Sequence, residues 1–189
     1  MNERGITMPI PHDRKYTAEE FLKLTAEDDS ERYELINGEI VAQAAPSIFH
    51  QRISMRLSVK IGSFIMSNNG KCEPFAAPTD VMLDDENVVQ PDFFILCDTS
   101  KLDDKRCYGA PDFIVEIASS NRSADFTRKL SLYKESGVRE YWIIDPASEK
   151  ILVYLFEKSL NTVNIYSFID AVPVGIYDGK LTICIKDLL

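Results

Sequence analysis

The stretch GAPDFIVEIASSNRSADFTRKLSLYKESGVREYWIIDP, residues 109–146, decides the fold. In an extended strand, alternate side chains face opposite ways, so Asp112, Ile114, Glu116 and Ala118 share one face and Phe113, Val115 and Ile117 the other. Glu116 is thus an acid carried on an otherwise apolar strand. Ser123 stands where a helix N-cap belongs, Phe126, Leu130 and Tyr133 recur at helical spacing, and Gly137 supplies the stop. On that helix Asp125, Lys129 and Tyr133 are spaced four apart and form one stripe. Tyr141 to Ile144 is an apolar run closed by Asp145-Pro146, the pattern of an interior strand. A strand, a helix and a strand in this order predict parallel neighbours joined by a right-handed crossover.

Working outward, Val88 to Leu96 reads as a strand in which Asp92 interrupts an apolar run. A buried carboxylate needs a charge partner, hydrogen bonds or a metal. Tyr33 to Val41 contains two extended halves around Asn37-Gly38, a dipeptide that tolerates positive φ at both positions and so predicts a tight hairpin. Glu34 and Glu39 flank that turn, where a solvated strand face is the plain expectation for both. Thr17-Ala18-Glu19-Glu20 matches a capping box and starts a short helix. His50 to Met66 carries Ile53, Leu57, Ile61, Phe64 and Ile65 on one helical face and Arg52, Arg56 and Lys60 on another. His50 opens this helix as a ligand or a polar cap, and the cap is favoured because no His or Cys lies near it in sequence. Cys72 to Leu83 has strand character broken by Pro74 and Pro78, residues 98–108 read as a charged loop, and 151–156, 163–168 and 181–185 read as further strands.

The chain has 189 residues, 45% of them hydrophobic, which fits a core that needs no staples; the expectation is an irregular lead-in over residues 1–15 and a single domain over 16–189. Its four cysteines form no C-x-x-C pair, so free, mostly buried thiols are expected rather than zinc. No signal-peptide pattern or membrane-length apolar run appears, pointing to a soluble cytoplasmic protein. The net charge of -9, from 30 acidic against 21 basic side chains, disfavours broad attraction to nucleic acid. It leaves room for a nucleic-acid enzyme whose acids bind metal and whose basic residues gather on one side. The apolar C-terminal strands are compatible with a homodimer.

Asp92 and Glu116 on interior strands, with Lys129 on the helix after the second, make a chemical constellation. One or two carboxylates with water and phosphate oxygens form a typical magnesium site. A nearby lysine can orient a nucleophilic water or offset developing charge. The plain alternative is an ion pair of Lys129 with Asp125. Ser119 and Ser120 lack a nearby His and read as loop hydrogen-bonding groups rather than nucleophiles.

Gln90-Pro91-Asp92, Pro111 to Ile117 followed by Ser119-Ser120, then Asp125, Lys129 and Tyr133, and Gly137-Val138 with Glu140 to Pro146, resemble the Uma-type putative restriction endonuclease family of the PD-(D/E)XK nuclease superfamily. Tyr33 to Glu39 and His50 fall in the family's order, so the resemblance spans about residues 17–160. It implies an α/β fold with a restriction-endonuclease-like core, a central mixed β-sheet flanked by α-helices. It further implies a magnesium- or manganese-dependent endonuclease acting on DNA. Asp92 and Glu116 would be the metal-binding acids and the Ile117 carbonyl a further ligand. The superfamily's lysine two residues after the second acid is Ala118 here, so its role passes to Lys129 on the following helix. Glu34 is a possible extra acid. Two other readings stay open: an inactive nuclease-fold interaction or regulatory module, consistent with the acidic charge and Ala118, and a metal-dependent hydrolase of small phosphate compounds.

Overall fold

The computed structural model describes residues 14–26, 32–118, 123–157 and 162–189, without the side chains of 123–125. The lead-in up to residue 13, Ser119, Ser120 and the Asp125 side chain therefore lie outside the described residues. Thr17 closes the expected capping box at the start of α1 (Ala18–Thr25), its hydroxyl accepting from Glu20 N while Glu20 accepts from Thr17 N. Asn37 and Gly38, at φ 52° and 77°, form the tight turn between β1 (Arg32–Ile36) and β2 (Glu39–Gln43). A twenty-residue helix, α2 (Ile48–Ser67), follows, capped by the Ser47 side chain on His50 N. The cap is thus Ser47, which leaves the His50 imidazole for another purpose.

Next come β3 (Glu73–Ala76), β4 (Asp80–Asp84), β5 (Asn87–Val89) and β6 (Phe93–Leu96). The run from Val88 to Leu96 is therefore two strands. Pro91 has no N–H to give a ladder, and at Gln90-Pro91-Asp92 the chain passes from one sheet to another. The segment expected as a charged loop contains a 3-10 turn, Thr99–Lys101, and a short strand, β7 (Arg106–Tyr108), parallel to β4. Then follow β8 (Phe113–Ile117), α3 (Ser123–Ser136), β9 (Glu140–Asp145), β10 (Lys150–Leu155), β11 (Val163–Ser167), β12 (Val172–Pro173) and β13 (Thr182–Ile183). Ser123 is the first helical residue rather than the one before it.

A six-stranded mixed sheet runs β11-β10-β9-β8-β6-β3, and a five-stranded mixed sheet runs β2-β1-β5-β4-β7. β8 and β9 are parallel neighbours joined through α3, as the decisive stretch predicts. Alternation sorts the core. Phe113, Val115, Ile117, Trp142 and Ile144 face α2 through Ile53, Leu57, Ile61 and Ile65. Ile114, Tyr141 and Ile143 face the other way, toward Leu132 and Tyr133 of α3 and toward Ile36, Val81 and Val89 of the five-stranded sheet. Glu116 alternates onto that second face, between the sheets.

Two cysteines depart from the expectation of free thiols. The antiparallel register Glu73↔Leu96 brings Cys72 opposite Cys97, and the two form a disulfide. Cys107 and Cys184 are free. No helix among the described residues is long and apolar enough to cross a membrane.

Candidate active site

The register of β6 against β8 pairs Phe93 with Val115. One step further, Asp92 comes opposite Glu116, and directly opposed residues of an antiparallel pair project from the same face. Both acids are nearly sealed, Asp92 at 4% and Glu116 at 2% exposure. Asp92 is held from both neighbours: its Oδ2 accepts from Ile117 N at 2.7 Å and lies 2.7 Å from His50 Nε2, while its carbonyl accepts from Ser54 Oγ at 3.0 Å.

Lys129 and Tyr133, one helical turn apart on α3, reach back over the strand. Lys129 Nζ donates to Glu116 Oε1 at 3.0 Å, and the Tyr133 hydroxyl donates to the same oxygen at 2.7 Å. The same ammonium lies 2.9 Å from both oxygens of Glu34 on β1. Glu34, 1% exposed, also accepts from Gln90 N at 2.8 Å. It is therefore a buried member of the cluster, whereas Glu39 stays on the solvated face and pairs at 3.3 Å with Arg128. The structure thus gathers Asp92, Glu116, Lys129 and Glu34, and adds His50, Tyr133 and Gln90.

Burial is the largest influence on Glu116 and pushes its carboxyl up to about 8; Lys129 opposes the rise, Asp92 and Glu34 add to it, and the Tyr133 hydrogen bond opposes it. The donors from Lys129 and Tyr133 both reach Oε1. Burial likewise raises the Tyr133 hydroxyl well above its ordinary range, with Glu116 reinforcing, so it stays a donor.

Among the described residues, Asp92 Oδ1 and Glu116 Oε2 accept no hydrogen bond. No group of three or more His, Cys, Asp or Glu among the described residues is arranged to hold a metal ion. Two adjacent carboxylates with open oxygens fit a hard ion that completes its shell with water and phosphate. They do not fit an all-protein cage. Ile117 and Ala118 line a cavity of about 260 Å³ together with Asp92 and His50. Gln43 at the end of β2, the connection from Ala44 to Ser47, Arg32 and Pro146 also line it.

His50 is the site residue that the sequence reading set aside. The signal was its position three residues before Ile53 and seven before Leu57, on the inward face of α2 rather than the basic one. Ser54 shares that face and reaches the same aspartate. Of the basic stripe, Arg56 is spent structurally, donating to Leu188 O at 3.0 Å.

The family Uma2, described as "Putative restriction endonuclease", matches residues 18–172. A crystal structure of a putative nuclease belonging to DUF820, from Anabaena variabilis ATCC 29413, superposes with a TM-score of 0.76 at 22% identity, covering 95% of this chain and 97% of that one. That likeness shows the fold, a mixed α/β architecture. No curated protein matches the chain.

Proposed function

The chain belongs to the Uma2 family of putative restriction endonucleases, and from that premise we propose that it is a divalent-metal-dependent endonuclease hydrolysing DNA phosphodiester bonds. The carrying observation is the register that opposes Asp92 to Glu116, each with an oxygen left open, and Lys129 Nζ 3.0 Å from the second acid. Asp92 and Glu116 would hold magnesium or manganese, with the Ile117 carbonyl at the adjoining strand end as a further ligand. The ion supplies electrostatic stabilisation of the phosphate and a bound water of lowered pKa.

The chain's own residues account for the rest. Ile117 N and His50 anchor one oxygen of Asp92, so its other oxygen is presented in a fixed direction. Tyr133 and Lys129 do the same for Glu116. Lys129 Nζ lies between two carboxylates, from where it can orient a water or offset charge that develops on the phosphate. Glu34 sets the position of that ammonium and is a positioning residue in this reading.

The test is cleavage of plasmid DNA by purified protein with magnesium or manganese against chelator, in wild type and Glu116→Ala. Metal-dependent nicking that falls about a hundredfold or more in the variant is the expected result; undiminished cleavage by Glu116→Ala sinks the assignment. The engagement of Lys129 by two buried acids favours one competing reading, an inactive nuclease-fold module. It predicts no metal-dependent cleavage in the wild type.

A further inference from the structure

Arg32 opens β1 and lines the cavity beside Asp92. Its Nε donates to Gln90 Oε1 at 3.1 Å. Gln90 is itself fixed, its Nε2 donating to Asp80 Oδ1 at 2.9 Å and its backbone N to Glu34 at 2.8 Å. The guanidinium is thereby aimed before any ligand arrives. Nη2 is nevertheless buried and donates to no described atom, and among the described residues Arg32 makes no ion pair. Beside a cluster rich in carboxylates, this cation has no acid of its own among the described residues.

A buried, unpartnered N–H on a cationic fork carries a desolvation cost that an anion can offset. The planar guanidinium suits two oxygens of a phosphate, and with Nε committed to Gln90 the Nη groups are the donors left for that purpose once a ligand displaces the atoms that cover Nη2. The cavity of about 260 Å³ falls just below the range of drug-sized pockets, so it suits one phosphodiester with part of its nucleotide. Its lining includes the apolar side chains of Ala44, Ala45, Pro46 and Phe49 together with Asp92 and Ile117.

We propose that Arg32 is the phosphate anchor of this site, binding the non-bridging oxygens of the phosphodiester that enters the cavity beside Asp92. The inference rests on the nuclease reading of the neighbouring acids and names the group that recognises the substrate's charge. Gln90 is then a positioning residue that holds the fork. This role also explains why the Gln90-Pro91-Asp92 turn carries a glutamine: one side chain orients the anchor while the residue two places on presents the metal-binding acid.

The test uses the intact chain with calcium, the dinucleotide thymidylyl-thymidine with its single phosphodiester, and its methylphosphonate analogue, which is the same size but uncharged at phosphorus. Binding is followed by the backbone and Arg side-chain nitrogen signals in NMR titrations. Wild type is expected to prefer the diester by about tenfold to a hundredfold. Arg32→Met should lose most of that preference, keeping only the share that calcium supplies, while binding the analogue as before, and Arg32→Lys, which keeps the charge but not the fork, should lose less. Should Arg32→Met not fold, Arg32→Gln carries the same comparison. A variant lacking the guanidinium that prefers the diester as strongly as wild type, or a wild type that binds both probes equally or neither, overturns the inference. The two readings fail separately. Cleavage lost in Glu116→Ala alongside an unchanged preference in Arg32→Met removes only the role of Arg32. An Arg32-dependent preference in a protein that cuts no DNA removes only the nuclease.

Discussion

At the scale of single residues, the site is organised by which oxygen of each acid is occupied. Glu116 is the side chain whose protonation ties the site to pH. Its carboxyl is raised in the folded protein, foremost by burial, so the folded state keeps a proton that the unfolded state releases near pH 4.3. The stability this contributes is complete below that value and is lost as pH rises through about 8. In metal-free buffer, Glu116→Gln should therefore flatten the fall in stability across that window, read as the difference between wild-type and variant urea midpoints at successive pH values. A difference that stays constant from pH 4 to 9 contradicts the assignment. Asp92 and Glu116 are legible in sequence because an acid inside an apolar run announces that something must compensate it. Arg32 is not, because an arginine near a strand start is ordinary, and His50 shows in sequence only by its place on the inward face of α2. What makes them unusual is an unpartnered Nη2 in one case and a bond to a buried aspartate in the other, and both depend on contacts between residues far apart in the chain.

At the scale of elements, local signals with short reach read correctly and those set by sheet membership did not. The capping box at Thr17, the turn at Asn37-Gly38 and the strand-helix-strand unit around α3 each rest on spacing within about one or two turns of chain. The division of Val88 to Leu96 into β5 and β6 depends on which partner each half finds, and β7 on pairing with β4; neither partner lies within the segment itself. The hairpin turn has a functional role because strand side chains alternate with period two. A slip of one residue would turn Glu34 away from Lys129. Gly38 sits at φ 77°, and a Cβ there would come within 3.0 Å of Lys15 Cβ. Gly38→Val should thus cost about 1–2 kcal/mol, seen as a lower urea midpoint with an unchanged slope. An unchanged midpoint would mean that the turn does not set the register.

At the scale of the whole molecule, the two sheets are joined by repeated passages of the chain between them and by one ion cluster. Between Cys72 and Cys97 the chain leaves the six-stranded sheet at β3, contributes β4 and β5 to the five-stranded one and returns at β6. The disulfide, 25 residues apart in sequence, therefore closes a loop that threads both sheets. Restricting such a loop in the unfolded chain is worth about 3 kcal/mol, so reduction, or Cys72→Ser, should lower the unfolding free energy by roughly that amount. Thiol titration of the unfolded protein before and after reductant gives the matching count; equal counts would show that no bridge forms. Sequence spacing left the pairing unread because the bridge is created by the register of β3 on β6. The second link between the sheets is Lys129, whose ammonium holds Glu34 of one and Glu116 of the other. Taking away one partner of a buried ion pair costs about 3–5 kcal/mol. This residue thus has a structural duty that stands apart from any chemistry. A relative with no nuclease activity would still be under pressure to keep it, so a lysine shared between distant relatives is poor testimony to a shared reaction.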